Sequence, residues 1–210
     1  MQVEIWSDVV CPWCYIGKRR FETALARFGE RDQVEVRWRS FQLDPSAPAL
    51  TQGTLTDRLA ERMGSHDAAV AANARVTVLA AAEGLRYRLD QARPGNTFDA
   101  HRLLHLAWER GLQDSAEERL FAAYFAEGEP VGDRDTLVRL LGEVGIDEEE
   151  ARAVLEGERY GDEVNADQRE AMALGATGVP FFVIDRRYGV PGAQSADVLL
   201  SALETARAGE

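Results

Sequence analysis

The chain has 210 residues, 45% of them hydrophobic, with 24 Lys and Arg against 36 Asp and Glu for a net charge of −12. That size and composition support a buried core without disulfide staples, as one domain with a large insertion or as two intimate ones. The acidic balance opposes binding to nucleic acid or to anionic membranes, and no run approaches the ~18 apolar residues of a membrane span.

Met1 to Glu4 leads directly into a strand pattern, with no basic and apolar leader, so a cytoplasmic location is expected. Val3-Glu4-Ile5-Trp6 has the alternation of a short strand, and from Tyr15 to Gly29 the residues Phe21, Leu25 and Phe28 recur at helical spacing. Between them lies Cys11-Pro12-Trp13-Cys14, which contains both cysteines of the chain. The pair therefore sits where a strand runs into a helix. In a reducing compartment such a pair shuttles between dithiol and disulfide instead of bracing the fold.

The position has a chemical consequence. A cysteine just before the first helical turn faces unpaired backbone N–H groups and the positive end of the helix dipole, and both favour thiolate over thiol. Pro12 fits the first helical position, where its missing N–H would have had no intrahelical partner. Cys11 is the expected exposed nucleophile and Cys14, one turn inside, the resolving thiol. The expected donors to the Cys11 sulfur are the N–H groups of Trp13 and Cys14 and the Cys14 S–H.

After the first helix, Val34, Val36 and Trp38 alternate with Glu35, Arg37 and Arg39, the pattern of a strand that completes a βαβ unit. From Asp44-Pro45-Ser46-Ala47-Pro48 onward the strand signals stop. Helices are expected from Thr54 to Met63, Asp67 to Glu83, and Thr97 to Arg110, closed by Gly64, Gly84 and Gly111. Ser115 and Glu118 form a capping-box pattern before Leu120, and Asp133 is a cap before Leu137, Leu140 and Leu141. Two further helices are expected near Asp147–Leu155 and Asp162–Leu174. Strand signals return at Pro180–Asp185 and Tyr188–Val190, followed by an amphipathic helix over Ala196–Ala208.

The sum is βαβ, a helical insertion, then ββα. This predicts an α/β thioredoxin fold interrupted by a large all-α insertion, with residues 1–43 and 176–210 forming the discontinuous thioredoxin domain and 44–175 the insertion.

Gly178-Val179-Pro180 is unremarkable alone, since a proline at a strand start is ordinary and only about 5 to 6% of X-Pro bonds are cis. Combined with Cys-x-x-Cys it gains weight. The chain resembles the DsbA-type branch of the thioredoxin superfamily, and within it the cytosolic FrnE-like oxidoreductases, relatives of kappa-class glutathione transferases and 2-hydroxychromene-2-carboxylate isomerases. The matching segments are Ser7 to Lys18 (Ser-Asp-Val-Val-Cys-Pro-Trp-Cys-Tyr-Ile-Gly-Lys), Asn96 to Arg102 (Asn-Thr-Phe-Asp-Ala-His-Arg) and Gly178 to Val183 (Gly-Val-Pro-Phe-Phe-Val).

The resemblance implies a cis Val179-Pro180 bond beside the two sulfurs, with the Val179 backbone open to an extended substrate, and it puts His101 at the lip of the cleft. Asn96 and His101 are accordingly substrate-binding candidates, each with a structural alternative as a helix cap or buried polar residue. Pro12, Trp13 and Pro180 are supporting residues. Asp8 is a candidate proton acceptor, or a turn residue, and Lys18 and Arg19 read as solvated surface behind the site.

Two departures from the family pattern matter. DsbA-type oxidants carry a histidine between the cysteines where this chain has Trp13, which implies a less oxidising couple and a reductase, isomerase or general dithiol exchanger. The transferase and isomerase relatives carry serine where this chain has Cys11. The expected activity is thiol-disulfide exchange with a disulfide-containing protein or small thiol substrate. Its alternatives are a glutathione-dependent isomerase or transferase acting on a small aromatic or polyketide-like substrate, and a non-catalytic protein-binding chaperone module. No bound cofactor is expected; glutathione or a dithiol reductant would enter as co-substrate, to a monomer or homodimer.

A zinc site competes for the same cysteines, because His101 and His105 lie four residues apart on an expected helix. Against it, the histidines are 87 residues beyond Cys14, whereas zinc knuckles close within about a dozen or so.

Overall fold

The structure, a computed structural model, describes residues 1–209. In chain order the elements are β1 (Gln2–Ser7), α1 (Pro12–Arg27), β2 (Glu35–Ser40), α2 (Leu55–Met63), α3 (His66–Ala82), α4 (Phe98–Glu109), α5 (Gln113–Ala122), a π-helical turn (Ala123–Glu127), α6 (Arg134–Gly142), α7 (Glu148–Glu156), α8 (Gly161–Ala173), β3 (Phe181–Ile184), β4 (Tyr188–Pro191) and α9 (Ala196–Ala208). The chain divides into two compact units, Met1–Leu43 with the segment from Asp162 onward, and Asp44–Gly161.

The first unit holds one four-stranded sheet in the order β2-β1-β3-β4, parallel between β1 and β2 and antiparallel elsewhere. Both ends of the chain therefore build the sheet, as the thioredoxin plan requires. Alternation sends Val3 and Ile5 of β1, with Phe182 and Ile184 of β3, to one face. There they pack with Phe21, Ala24 and Phe28 of α1 and Leu199, Leu203 and Ala206 of α9. Trp6, Phe181 and Val183 point to the other face and meet Phe41 and Ala171 of α8.

That second face explains a difference from the sequence reading, which placed α8 in the insertion and returned to the sheet domain at 176. Helix α8 belongs to the sheet unit because Asp167 fastens it there. Its carboxylate accepts the Ser40 amide at 2.9 Å and the Arg39 guanidinium at 3.0 Å, while its backbone carbonyl accepts Trp6 Nε1 at 2.8 Å. Glu4, 1% exposed on the same face of β1, pairs with Arg39 and with Arg186 of the β3–β4 turn. A central strand buried on both sides needs a cover for each face, and an amphipathic pattern alone does not say which face a helix covers.

The second unit is helical. Thr54 caps α2 through a capping box with Asp57, and Asp133 and Asp147 cap α6 and α7 through side-chain oxygens. The expected Ser115–Glu118 capping box does not form. Gly111, at φ +69°, closes α4 in a left-handed turn and the Leu112 amide returns to the Ala107 carbonyl, so α5 starts at Gln113 and Ser115 falls inside it. The π-helical turn after α5 is absent from the sequence reading. In it Phe125, stacked on Tyr87 with centroids 4.7 Å apart, offers its carbonyl to the Arg88 amide at 2.7 Å.

Candidate active site

Strand β1 delivers the chain to a turn at Asp8–Val10, closed by the Cys11 amide donating to the Asp8 carbonyl at 2.9 Å. Cys11 is the N-cap of α1 with an extended backbone (φ −88°, ψ 113°), and Pro12 occupies the first helical turn without wasting a donor. The Cys14 amide donates to the Cys11 carbonyl at 3.0 Å, so the helix begins within the motif. Both cysteines are free thiols, and they are hydrogen-bonded to one another through their side chains.

Two expectations change here. Cys11 is only 4% exposed, and Trp13, at 40%, is the member of the motif that faces solvent. The Cys11 side chain accepts no helix-capping bond; its backbone carbonyl takes the Cys14 N–H instead, which leaves the Cys14 thiol as its partner from the helix. The Cys11 sulfur also reaches the Val179 carbonyl at 3.5 Å.

Val179-Pro180 is cis. Its place against α1 depends on Gly17, where an added Cβ would lie 2.9 Å from Pro180 Cγ and 3.5 Å from Phe182 Cζ. At Gly17 the helix carrying the cysteines and the proline segment approach too closely for any side chain to fit without a shift.

Cys14 is fully buried. Burial pushes its thiol well above the ordinary cysteine range, and the hydrogen bond and charge of Cys11 push in the same direction. The Asp8 backbone and the Ser7 side chain, both hydrogen-bonded to it, pull the other way. Burial and the neighbouring Cys11 thus both act to keep the proton on Cys14.

Asp8 is 1% exposed, and one carboxylate oxygen accepts the Leu43 amide at 2.8 Å, which ties the turn to the end of β2. Lys18 is not solvated: it is 2% exposed, pairs with Glu22 and sits 6.0 Å from the Trp38 ring centroid. Glu22, itself partly exposed, supplies the counter-charge for this buried ammonium group. Arg19 pairs with the same carboxylate at 2.7 Å and packs over Tyr15.

Asn96 and His101 belong to the helical unit and are not among the residues that the sheet unit gathers at the cysteines. The Asn96 amide group donates to the Pro45 and Ala47 carbonyls at 3.1 and 2.9 Å and accepts from the Phe98 amide at 2.8 Å, so it pins a loop and starts α4. His101 is 1% exposed within α4. Next to it, Arg102 bonds Asp99 and the carbonyls of Val154, Gly157 and Arg159. The motif has a structural use inside its own unit. Among the described residues, no group of three or more His, Cys, Asp or Glu side chains is placed to hold a metal ion, and no helix is long and apolar enough to cross a membrane.

Ser7 is a further residue at Cys14, and its place is signalled in the sequence. Ser7 is in phase with Val3 and Ile5, and period two aims its hydroxyl at the same α1 face that carries Cys14.

Comparison with known proteins places this geometry in context. The family model of the DsbA-like thioredoxin domain matches residues 2–204. The protein YwbO of Bacillus subtilis is 30% identical over 209 residues, covering 97% of this chain and 96% of its own. The crystal structure of a probable DsbA oxidoreductase from Streptomyces coelicolor is 50% identical with a TM-score of 0.95, covering 100% of this chain and 91% of that one. The cytosolic disulfide reductase DsbM of Pseudomonas aeruginosa is 19% identical with a TM-score of 0.69 over the whole of both chains, a likeness of fold. DsbM is also known with glutathione (21% identity, TM-score 0.67, 98% of both chains).

Proposed function

This chain belongs to the DsbA-like thioredoxin family, and within that family of oxidoreductases we propose that it is a thiol-disulfide exchanger working through Cys11 and Cys14. The observation that carries the reading is the pair itself: two free, mutually hydrogen-bonded thiols at a helix N-terminus, beneath a cis-proline segment.

Cys11 attacks one sulfur of a substrate disulfide; a Cys11–substrate disulfide forms and the other substrate sulfur leaves as a thiolate. Cys14 then attacks Cys11, the bond to substrate breaks, and the second substrate thiolate leaves with the proton that Cys14 held. The protein ends oxidised and the substrate reduced by two electrons. Glutathione or another thiol of similar potential restores the dithiol, a choice supported by the occurrence of glutathione with the reductase DsbM. Trp13 brings no positive charge to the first helical turn, which favours the reducing direction. Cysteine at position 11, where the transferase relatives carry serine, favours disulfide exchange over glutathione addition.

The test is insulin reduction with glutathione or dithiothreitol as donor. Wild type accelerates precipitation of the insulin B chain, Cys11→Ser abolishes the effect, and Cys14→Ser accumulates a covalent adduct with substrate visible on a non-reducing gel. Turnover that persists in Cys11→Ser contradicts the proposal.

A further inference from the structure

We propose that Ser7 is a catalytic residue of the resolving half-reaction, its hydroxyl donating a hydrogen bond to the Cys14 sulfur as that sulfur becomes a nucleophile. The inference deepens the exchange reading above and rests on it. Ser7 ends β1 and is 1% exposed. Its own carbonyl accepts the Phe41 amide at 3.0 Å, and its neighbour across the parallel pair is Ser40. The residue is thus fixed on both sides, and its hydroxyl meets Cys14, whose side chain has no exposure to water.

A buried thiol is a poor nucleophile because the thiolate it must become loses its solvation. In the reduced protein three causes hold the proton on Cys14: burial, the hydrogen bond to Cys11 and the charge of Cys11. When Cys11 is bonded to a substrate sulfur, the charge has gone and the hydrogen bond to it is lost. Burial alone then opposes ionisation, and Ser7 and the Asp8 backbone are the donors that remain on the sulfur. The turn thereby keeps Cys14 quiet before attack and competent after it.

In the step itself, a bond forms between Cys14 Sγ and Cys11 Sγ and the bond from Cys11 to substrate breaks. The electron pair leaves on the substrate sulfur, and the Cys14 proton ends there. Ser7 donates a hydrogen bond throughout and transfers no net proton. The other titratable groups around Cys14 are Cys11 and Lys18 on α1, the latter held by Glu22, and Asp8 in the turn. The facing segment of Val179, Pro180, Phe181 and Phe182 contributes none.

The experiment uses the reduced full chain and one equivalent of 5,5′-dithiobis(2-nitrobenzoate), which releases one coloured thiolate when Cys11 attacks and a second when Cys14 resolves the adduct. In Ser7→Ala the first phase is unchanged and the second slows about tenfold near pH 7, the loss of one hydrogen bond to a charged group. Its pH profile moves to higher pH. Ser7→Thr restores the wild-type second phase. Ser7→Thr and Ser7→Val, alike in shape and different by the hydroxyl, decide the matter if alanine disturbs folding: a second phase slow only in valine supports the role. An unchanged second phase in Ser7→Ala, or one slowed equally at every pH, overturns it. A wild-type protein that releases no second thiolate contradicts the exchange reading instead, and so separates the two failures.

Discussion

At the scale of single residues, the site divides labour between two sulfurs through their surroundings. Cys14 keeps its proton because it is buried and because Cys11 accepts its hydrogen bond and repels its charge. That proton has a stability consequence. The folded chain retains it to a higher pH than the unfolded chain, whose cysteines ionise near pH 8.5. The Cys14 contribution is therefore complete below about pH 8.5 and is lost as pH rises from there toward the folded value. Urea unfolding of the reduced protein at pH 7, 9 and 10 reads it. Relative to Cys14→Ala, wild type loses stability between pH 9 and 10, by no more than the about 1.4 kcal/mol per pH unit that one proton per molecule is worth. Parallel pH curves for the two proteins contradict this. Pro12 was legible at this scale because helix-start chemistry is local. The contact of the Cys11 sulfur with the Val179 carbonyl, by contrast, joins residues 168 positions apart in the chain, a distance over which no local pattern carries.

At the scale of elements, the second face of the sheet depends on α8, and α8 depends on Asp167. Asp167→Ala strands the Ser40 amide and removes one of the two acidic partners of Arg39, so it lowers stability by about 3 kcal/mol. Asp167→Asn, which keeps an acceptor for Ser40 and loses only the charge, costs about half as much. Urea midpoints followed by tryptophan fluorescence measure both, since Trp6 hydrogen-bonds to Asp167 directly; equal midpoints for wild type and Asp167→Ala refute the role. Elements whose signals are local were legible: α9 spans 196–208 as read, and Asp133 caps α6 as its spacing indicates. The failures share a cause. Ser115 had a capping pattern, but Gly111 had already turned the chain, and the π-helical turn at Ala123–Glu127 differs from an α-turn by too little periodicity to register over five residues. Helix α8 was legible as a helix, but its packing with the sheet unit was not, because its partners Trp6, Arg39 and Ser40 lie more than 120 positions earlier.

At the scale of the whole molecule, the chain spends its first 43 residues and its last fifty or so on one sheet, and the residues between on a separate helical unit. The dithiol, the turn that holds it and the cis-proline segment all come from the sheet unit, which is why a short motif and a distant Gly-Val-Pro together carried the fold and the chemistry. Asn96 and His101 were attractive by resemblance; the bonds of Asn96 pin a loop and start α4, and His101 is buried within that helix. The central claim is that Cys11 and Cys14 form one reversible two-electron couple. Equilibration in glutathione buffers of graded potential, followed by acid quench, thiol alkylation and mass spectrometry, tests it most directly. The account predicts that both thiols disappear together into one intramolecular disulfide, at a potential more negative than the about −120 mV of a dedicated oxidant. Two thiols that oxidise independently, each ending as a stable glutathione adduct, would contradict it.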